Sequence, residues 1–316
     1  MSNNTDKEEN KVCLAVGGQA LIEGVMMRGT NEIGIAVRKL DGEIVTKVDP
    51  INSKIKKYKI DKIPFIRGIF SFGSSLIIGT KALMFSAKLF DVEETEEEKA
   101  KREKKGKEKQ EQVPDWIIWF SVIFGLLLSI GLFIIIPNLI STFIVPEENV
   151  VLYNVLETIF KFGIFLGYLI LVSQMEDIKR VFEYHGAEHK TIFCYEKDLE
   201  LTVENVKKQP RFHPRCGTNF TIIVLIISVI IFTMIGRYEN VLINIGYRIV
   251  LLPIIAGVSY EVIRMLGRTQ NKYLKVLGKP GLWLQRITTR EPDDSQIEVA
   301  IEALKLAVGE KKAEVK

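Results

Sequence analysis

Apolar and polar positions change spacing along this chain. Between positions 12 and 63 the apolar stretches are short: VCLAV, ALIEGVMMRG, EIGIAVRKL and EIVTKVDPI, separated by Gly-Gly, Gly-Thr and the pair Asp41-Gly42. Asp-Gly between alternating apolar residues is a strong hairpin signal. The pattern predicts a small antiparallel sheet, forming a β-rich domain over 12–63. Within it, GGQALIEGVMMRG gathers glycines, two methionines, Glu23 and Arg28. A tight turn with core methionines accounts for that composition; a site using Glu23 and Arg28 is the sharper alternative.

The period lengthens at Pro64. The stretch 64–90 lacks acidic residues and carries Arg67, Lys81 and Lys88. Its uncharged core, Gly68–Thr80, covers only about 20 Å at ~1.5 Å per residue, against roughly 30 Å of hydrocarbon. An interfacial or re-entrant helix fits that length, and a helix packed on the sheet is the alternative. Positions 91–115 then pass from an acidic block to a mainly basic one and hold almost nothing that could build a core, which predicts a charged linker. The first eleven positions are polar, are expected to be disordered, and lack the apolar core of a signal peptide.

Four long apolar runs follow within 116–260. They begin near Trp116, Val151, Phe220 and Leu242, and each approaches the ~20 residues a spanning helix needs. Trp116 and Trp119 suit a headgroup belt. The predicted fold is therefore an α-helical integral membrane protein with four transmembrane helices. The small β-rich domain precedes them, and 261–316 forms a cytosolic C-terminal segment. There Pro292, Asp293 and Asp294 mark a helix start, and Ile297, Ala300, Ile301 and Leu304 recur at amphipathic spacing. Trp283 and Leu284 are expected to rest on the membrane surface.

Orientation follows from the basic residues. The loop 138–150 has none, the loop 174–219 is dense in lysine and arginine from Lys179 to Arg215, and the next loop has only Arg237. Four spans with both termini in the cytoplasm satisfy this alternation. Inside the spans, Glu157 with Lys161, or Glu157 with Arg248, are expected to pair, because an isolated charge there is costly. A substrate path is the alternative.

Composition adds two limits. The chain has 47% hydrophobic and 26% charged residues and a net charge of +4, which gives no case for nucleic-acid binding. Its three cysteines are too few for a disulfide framework. A lipid bilayer is the expected partner, and a homo-oligomer or a second membrane protein is compatible with the sequence.

The candidate chemistry is concentrated in the loop 174–219. All three histidines lie there, at His185, His189 and His213, together with Cys194 and Cys216. His185-Gly186-Ala187-Glu188-His189 reads H-x-x-E-H. On a helix, His185 and His189 share one face and can share one metal ion. In enzymes with this motif the glutamate is the general base, a role that falls to Glu188. His213 and Cys216, in H-P-R-C-G, are the candidates to complete the site, and a thiolate favours zinc as the divalent metal. Glu183, Glu204 and Glu261 are weaker candidates. Gly186 is an unfavourable residue inside a helix.

Several of these segments together resemble the YqhQ-like family of bacterial membrane proteins. They are GGQALIEGVMMRG at 17–29, EYHGAEHKTIFCYE at 183–196, RFHPRCGTNF at 211–220, SYEVIR at 259–264 and PGLWLQRITTREPDDSQIEVAIEAL at 280–304. The family is labelled a domain of unknown function and a metal-dependent enzyme, so the resemblance implies a multi-pass protein of the bacterial cell membrane. It also suggests Glu261 and Arg264, with Glu23 and Arg28, as residues closing the site. Three functional classes follow: a metal-dependent, hydrolase-like enzyme on the cytosolic membrane face, a scaffold or assembly factor with a structural metal, and a small-molecule transporter using Glu157, Lys161 and Arg248. The first leads and the last is ranked lowest, because four spans are few for a transporter.

Overall fold

The computed structural model describes residues 16–51, 63–91, 115–146, 149–238, 240–268 and 279–309. The expected N-terminal tail and most of the expected charged linker lie outside these residues. The chain is mostly helical and divides into two units.

The first unit is assembled from three separated pieces, 1–93, 171–222 and 260–316. The sequence order had set these apart as an N-terminal domain, a loop and a C-terminal segment. At its centre is an antiparallel meander of β1 (Gly17–Leu21), β2 (Gly24–Arg28), β3 (Glu32–Arg38) and β4 (Ile44–Pro50), in the order β1-β2-β3-β4. ALIEGVMMRG thus divides between two strands. Ile22 and Glu23 form the turn, with Leu21 opposite Gly24 and Glu23 at a φ of 50°. A two-residue hairpin needs such left-handed backbone. Gly42, at a φ of 90°, turns β3 into β4 as Asp-Gly predicts.

Alternation sends each strand's residues to two faces. Leu21, Met26, Ile33, Ile35 and Val37 pack on one side against Ile78, Ala82, Phe85 and Leu89. Those four lie on α1 (Ile66–Asp91), a single unbroken helix. Their spacing of four, three and four residues forms one stripe, which lies on the sheet from Ile78 onward. Val25, Met27 and Ala36 face the other side, against Ala187 and Ile192 of α5 (Glu176–Glu196) and Ile297, Ala300 and Leu304 of α10 (Asp294–Val308). The C-terminal helix is therefore core rather than periphery. Its cap is Asp293, whose side chain accepts from the Gln296 amide while the Gln296 side chain accepts from the Asp293 amide. Pro292 stands before this capping box, not in the first turn. Two short helices complete the unit, α6 (Val203–Lys207) and α9 (Lys279–Thr288). On α9, Leu284 is buried and Trp283 half exposed, so the expected surface pair divides between core and exterior.

The second unit holds 94–170 and 223–259. Its helices are α2 (Asp115–Ile130), which runs through a π-helical turn at Gly131–Ile135 into α3 (Ile136–Ile144), then α4 (Val150–Val172), α7 (Gly217–Ile235) and α8 (Val241–Arg268), the last three continuing into the first unit. Pro137 explains the π turn: its nitrogen cannot donate back to Phe133, and the ladder widens around the gap. Phe124, Leu127, Ile159 and Val250 are among many large apolar side chains exposed on this unit. The polar groups are inside. Glu157 and Arg248 are almost fully buried and paired, Lys161 lies 3.3 Å from Glu157, and Arg248 donates to Asn154 at 2.9 Å.

Among the described residues five helices are long and apolar enough to cross a membrane, and the chain is a membrane protein on that ground: Ile66–Leu89, Ile123–Ile144, Val150–Val172, Gly217–Ile235 and Val241–Met265. The last four coincide with the four long apolar runs of the sequence. The first is the addition, with a mean hydropathy of 1.4 against 2.0 to 2.5 for the others. Arg67, Lys81 and Lys88 lie within it.

Candidate metal centre

The centre is built on α5. Glu176 and Asp177 occupy its first turn, where carboxylates offset the helix dipole. Glycine at 186 has a physical reason. A side chain there would run into the Arg290 carbonyl oxygen, so Gly186 lets the segment after α9 lie directly on the helix. The Arg290 amide donates to the Phe182 carbonyl at 2.8 Å and fixes that approach.

The contact holds His185. Its Nδ1 is 2.8 Å from the Thr288 carbonyl oxygen. One turn on, His189 Nδ1 is 2.6 Å from the Arg211 carbonyl oxygen. A carbonyl only accepts, so each ring carries its proton on Nδ1 and presents an Nε2 lone pair. His185 Nε2 is 3.3 Å from Cys216 Sγ. Ligand atoms of His185, His189 and Cys216 all lie within 4.8 Å of one another. This is the only such group found among the described residues.

His213 stands beside the trio. Its ring centroid is 5.6 Å from that of His189. Its Nδ1 accepts the Arg215 amide at 3.3 Å, and Nε2 faces Glu196 at 3.5 Å. Burial lowers its pKa to about 4 despite the pull of Glu188, so the ring is neutral, with its proton toward Glu196. Burial also lowers the His189 pKa, against the opposing influence of Cys216.

Glu188 is buried at the same place, and burial pushes its carboxyl pKa up. His185, His213 and the Gly18 amide oppose that shift. Glycine at 18 makes room: a Cβ there would stand 2.9 Å from the Glu188 carboxyl carbon. Glu188 Oε2 and His189 Nε2 are buried without a hydrogen-bond partner among the described residues. A cavity of about 400 Å³ opens over these groups. Gly17–Ala20 form one wall, Val181 to Ile192 of α5 the floor, and His213–Thr218 the opposite wall.

The remaining candidates lie elsewhere in the unit. Glu183 accepts from Gln296 at 2.9 Å. Glu23 pairs with Arg180 and meets Tyr184 at 3.3 Å, and Arg28 reaches Ser75 at 3.4 Å. Glu204 pairs with Lys208. Glu261 is tied to Arg67, and Arg264 is not among the cavity residues. The sheet closes the site with backbone at Gly17–Ala20, not with Glu23 and Arg28.

Three contributors were not singled out in the sequence. Gln285 is fully buried and clamps His213 twice, accepting from its amide and donating to its carbonyl, both at 2.8 Å. The carbonyls of Thr288 and Arg211 orient the two rings. No residue-type signal marks a carbonyl, but a glutamine within the apolar stretch GLWLQRI was a legible hint.

The chain is 36% identical over 299 residues to "Uncharacterized protein YqhQ" of Bacillus subtilis (strain 168), covering 93% of this chain and 92% of that one. No solved structure matches. Residues 63–310, which include α5, Cys216 and α9, match the family described as "Protein of unknown function (DUF1385)". By that match and that relative, the chain belongs to the DUF1385 family.

Proposed function

We propose that this protein is a metal-dependent, hydrolase-like membrane enzyme whose centre is His185, His189 and Cys216, with zinc as the metal. The observation that carries the proposal is the gathering of three ligand atoms within 4.8 Å, with both imidazoles turned inward by carbonyls. Such partners commonly fix the tautomer of metal-binding histidines. The unpartnered His189 Nε2 and Glu188 Oε2 fit the same purpose, since buried polar atoms are rarely left unpaired. Two imidazoles and a thiolate suit zinc.

A divalent ion there would supply Lewis acidity, polarising a carbonyl and acidifying water. The chain's own groups do the rest. Glu188, with its pKa raised by burial, faces the same cavity as the three ligands and is the group placed to take a proton. His213, neutral and clamped by Gln285, lines the wall opposite Gly17–Ala20. Three protein ligands leave a coordination position open, which distinguishes a catalytic site from a closed structural one.

The arrangement in the membrane is part of the same proposal. Four helices span, both termini are cytoplasmic, and the centre faces the cytosol, in agreement with the basic residues between Lys179 and Arg215. Helix α1 does not span. From Ile78 onward its stripe packs on the sheet, leaving Ile66–Ile77, about 18 Å, too short for the hydrocarbon. Metal analysis of the full chain purified in detergent, beside a His185→Ala, His189→Ala double variant, tests the centre. Stoichiometric zinc lost in the variant is the expected result; no metal in the unmutated protein contradicts it.

A further inference from the structure

We propose that the ligand of this cavity is an extended polypeptide, added as a fifth strand to the edge of β1 that no strand covers among the described residues. The proposal rests on the metal reading above for what happens to the peptide, but the docking itself stands on the sheet.

The edge is defined by the hairpin register. A two-residue hairpin makes Leu21 and Gly24 a hydrogen-bonded pair, and antiparallel pairs alternate. Gln19 and Gly17 therefore bond inward to β2, while Gly18 and Ala20 direct their N–H and C=O groups outward. The Gly18 carbonyl and both backbone groups of Ala20 then face the cavity.

The two edges of the sheet differ. On β4, Lys47, Asp49 and Pro50 occupy the outer strand, the devices by which proteins discourage strand addition. On β1 the sequence is Gly-Gly-Gln-Ala-Leu, with no charge and no proline. Gly17 and Gly18 are exposed, and nothing lies within 4 Å of where a Gly17 side chain would be. The unguarded edge is the one that walls the histidine cluster. Strand addition takes its affinity from main-chain hydrogen bonds and its selectivity from alternate side-chain pockets. Val181, Phe182 and Ile192 on the floor would receive apolar side chains.

A peptide paired with Ala20 crosses the cavity above His185 and Glu188. Hydrolysis then consumes one water. Its oxygen joins the peptide carbonyl carbon, the carbon–nitrogen bond breaks, and Glu188 carries a water proton to the departing amine.

The test measures hydrogen exchange on the full chain in detergent, with zinc content determined on the same sample. The probes are acetyl-Val-Leu-Ala-Val amide and its counterpart methylated on alternate amide nitrogens. The unmodified peptide is expected to slow exchange at Ala20 by roughly tenfold, the methylated one to have no effect, and β4 to stay unchanged. No protection at Ala20, or equal protection by both peptides, overturns the proposal. Zinc content decides the metal reading separately. Protection without zinc retains peptide docking and removes the metal, whereas zinc without protection does the reverse.

Discussion

His185 Nδ1 lies 2.8 Å from the carbonyl oxygen of Thr288, a residue 103 positions away. That bond turns Nε2 toward Cys216 and makes the end of α9 part of the centre. Residues distant in the chain therefore control the geometry at the H-x-x-E-H helix.

The fit at Gly186 is the first consequence to test. Gly186→Ala places a methyl group against the Arg290 carbonyl. Overpacking of this kind costs about 1–3 kcal/mol. Lower thermal stability in detergent is expected, together with weaker metal binding, because Thr288 moves with Arg290. Unchanged metal affinity would separate the approach from the centre.

Gln285 offers a second test. Gln285→Ala leaves the buried His213 amide without its partner, at about 1–3 kcal/mol for an orphaned group, while the His213 carbonyl keeps the Cys216 amide at 3.3 Å. As a supporting contact it should also lower metal affinity by roughly tenfold. Competition with a colorimetric chelator measures that loss.

Glu188→Gln separates catalysis from architecture. The amide keeps the size of the side chain but cannot take a proton. Metal content and folding are expected to persist while activity, scored by complementation of a deletion strain, disappears. Full complementation would favour the scaffold over the enzyme.

Within the membrane unit, Arg248→Ala should be severe. It leaves Glu157 buried with only Lys161 nearby. Breaking a buried pair costs about 3–5 kcal/mol. A substantially lower melting temperature is expected, and the Glu157→Gln, Arg248→Met double variant should recover part of it.

Asp293 gives a pH dependence. Burial pushes its carboxyl pKa up, but hydrogen bonds from Ser295 and Gln296 outweigh burial and hold it below the usual range. A depressed folded pKa contributes stability that is present above the unfolded value, near 3.9, and is lost as pH falls through the folded one. Asp293→Ala should cost about 1 kcal/mol at neutral pH. Unfolding curves at pH 7 and pH 3 should show the difference between variant and parent shrinking in acid.

The apolar runs were legible because a bilayer demands length, and length is visible in sequence. The Asp41-Gly42 hairpin was legible because that turn demands those residues. The division of GGQALIEGVMMRG was not, since Glu23 adopts left-handed backbone without being glycine. The surroundings of α1 were ambiguous for a physical reason: its stripe Ile78, Ala82, Phe85, Leu89 reads the same whether it meets lipid or a sheet. At the centre, His185, Glu188, His189, His213 and Cys216 were all named from the sequence. Cys216 stands in the trio and His213 beside it, its amide and carbonyl held by Gln285, a long-range contact that spacing does not encode.

The central claim is that His185, His189 and Cys216 hold one metal ion. Elemental analysis of the detergent-purified full chain, run beside Cys216→Ser and the His185→Ala, His189→Ala variant, tests it most directly. The account predicts about one zinc per chain in the parent, sharply reduced content in Cys216→Ser, and none in the histidine variant. A well-folded parent without metal, or equal metal in all three proteins, would contradict it.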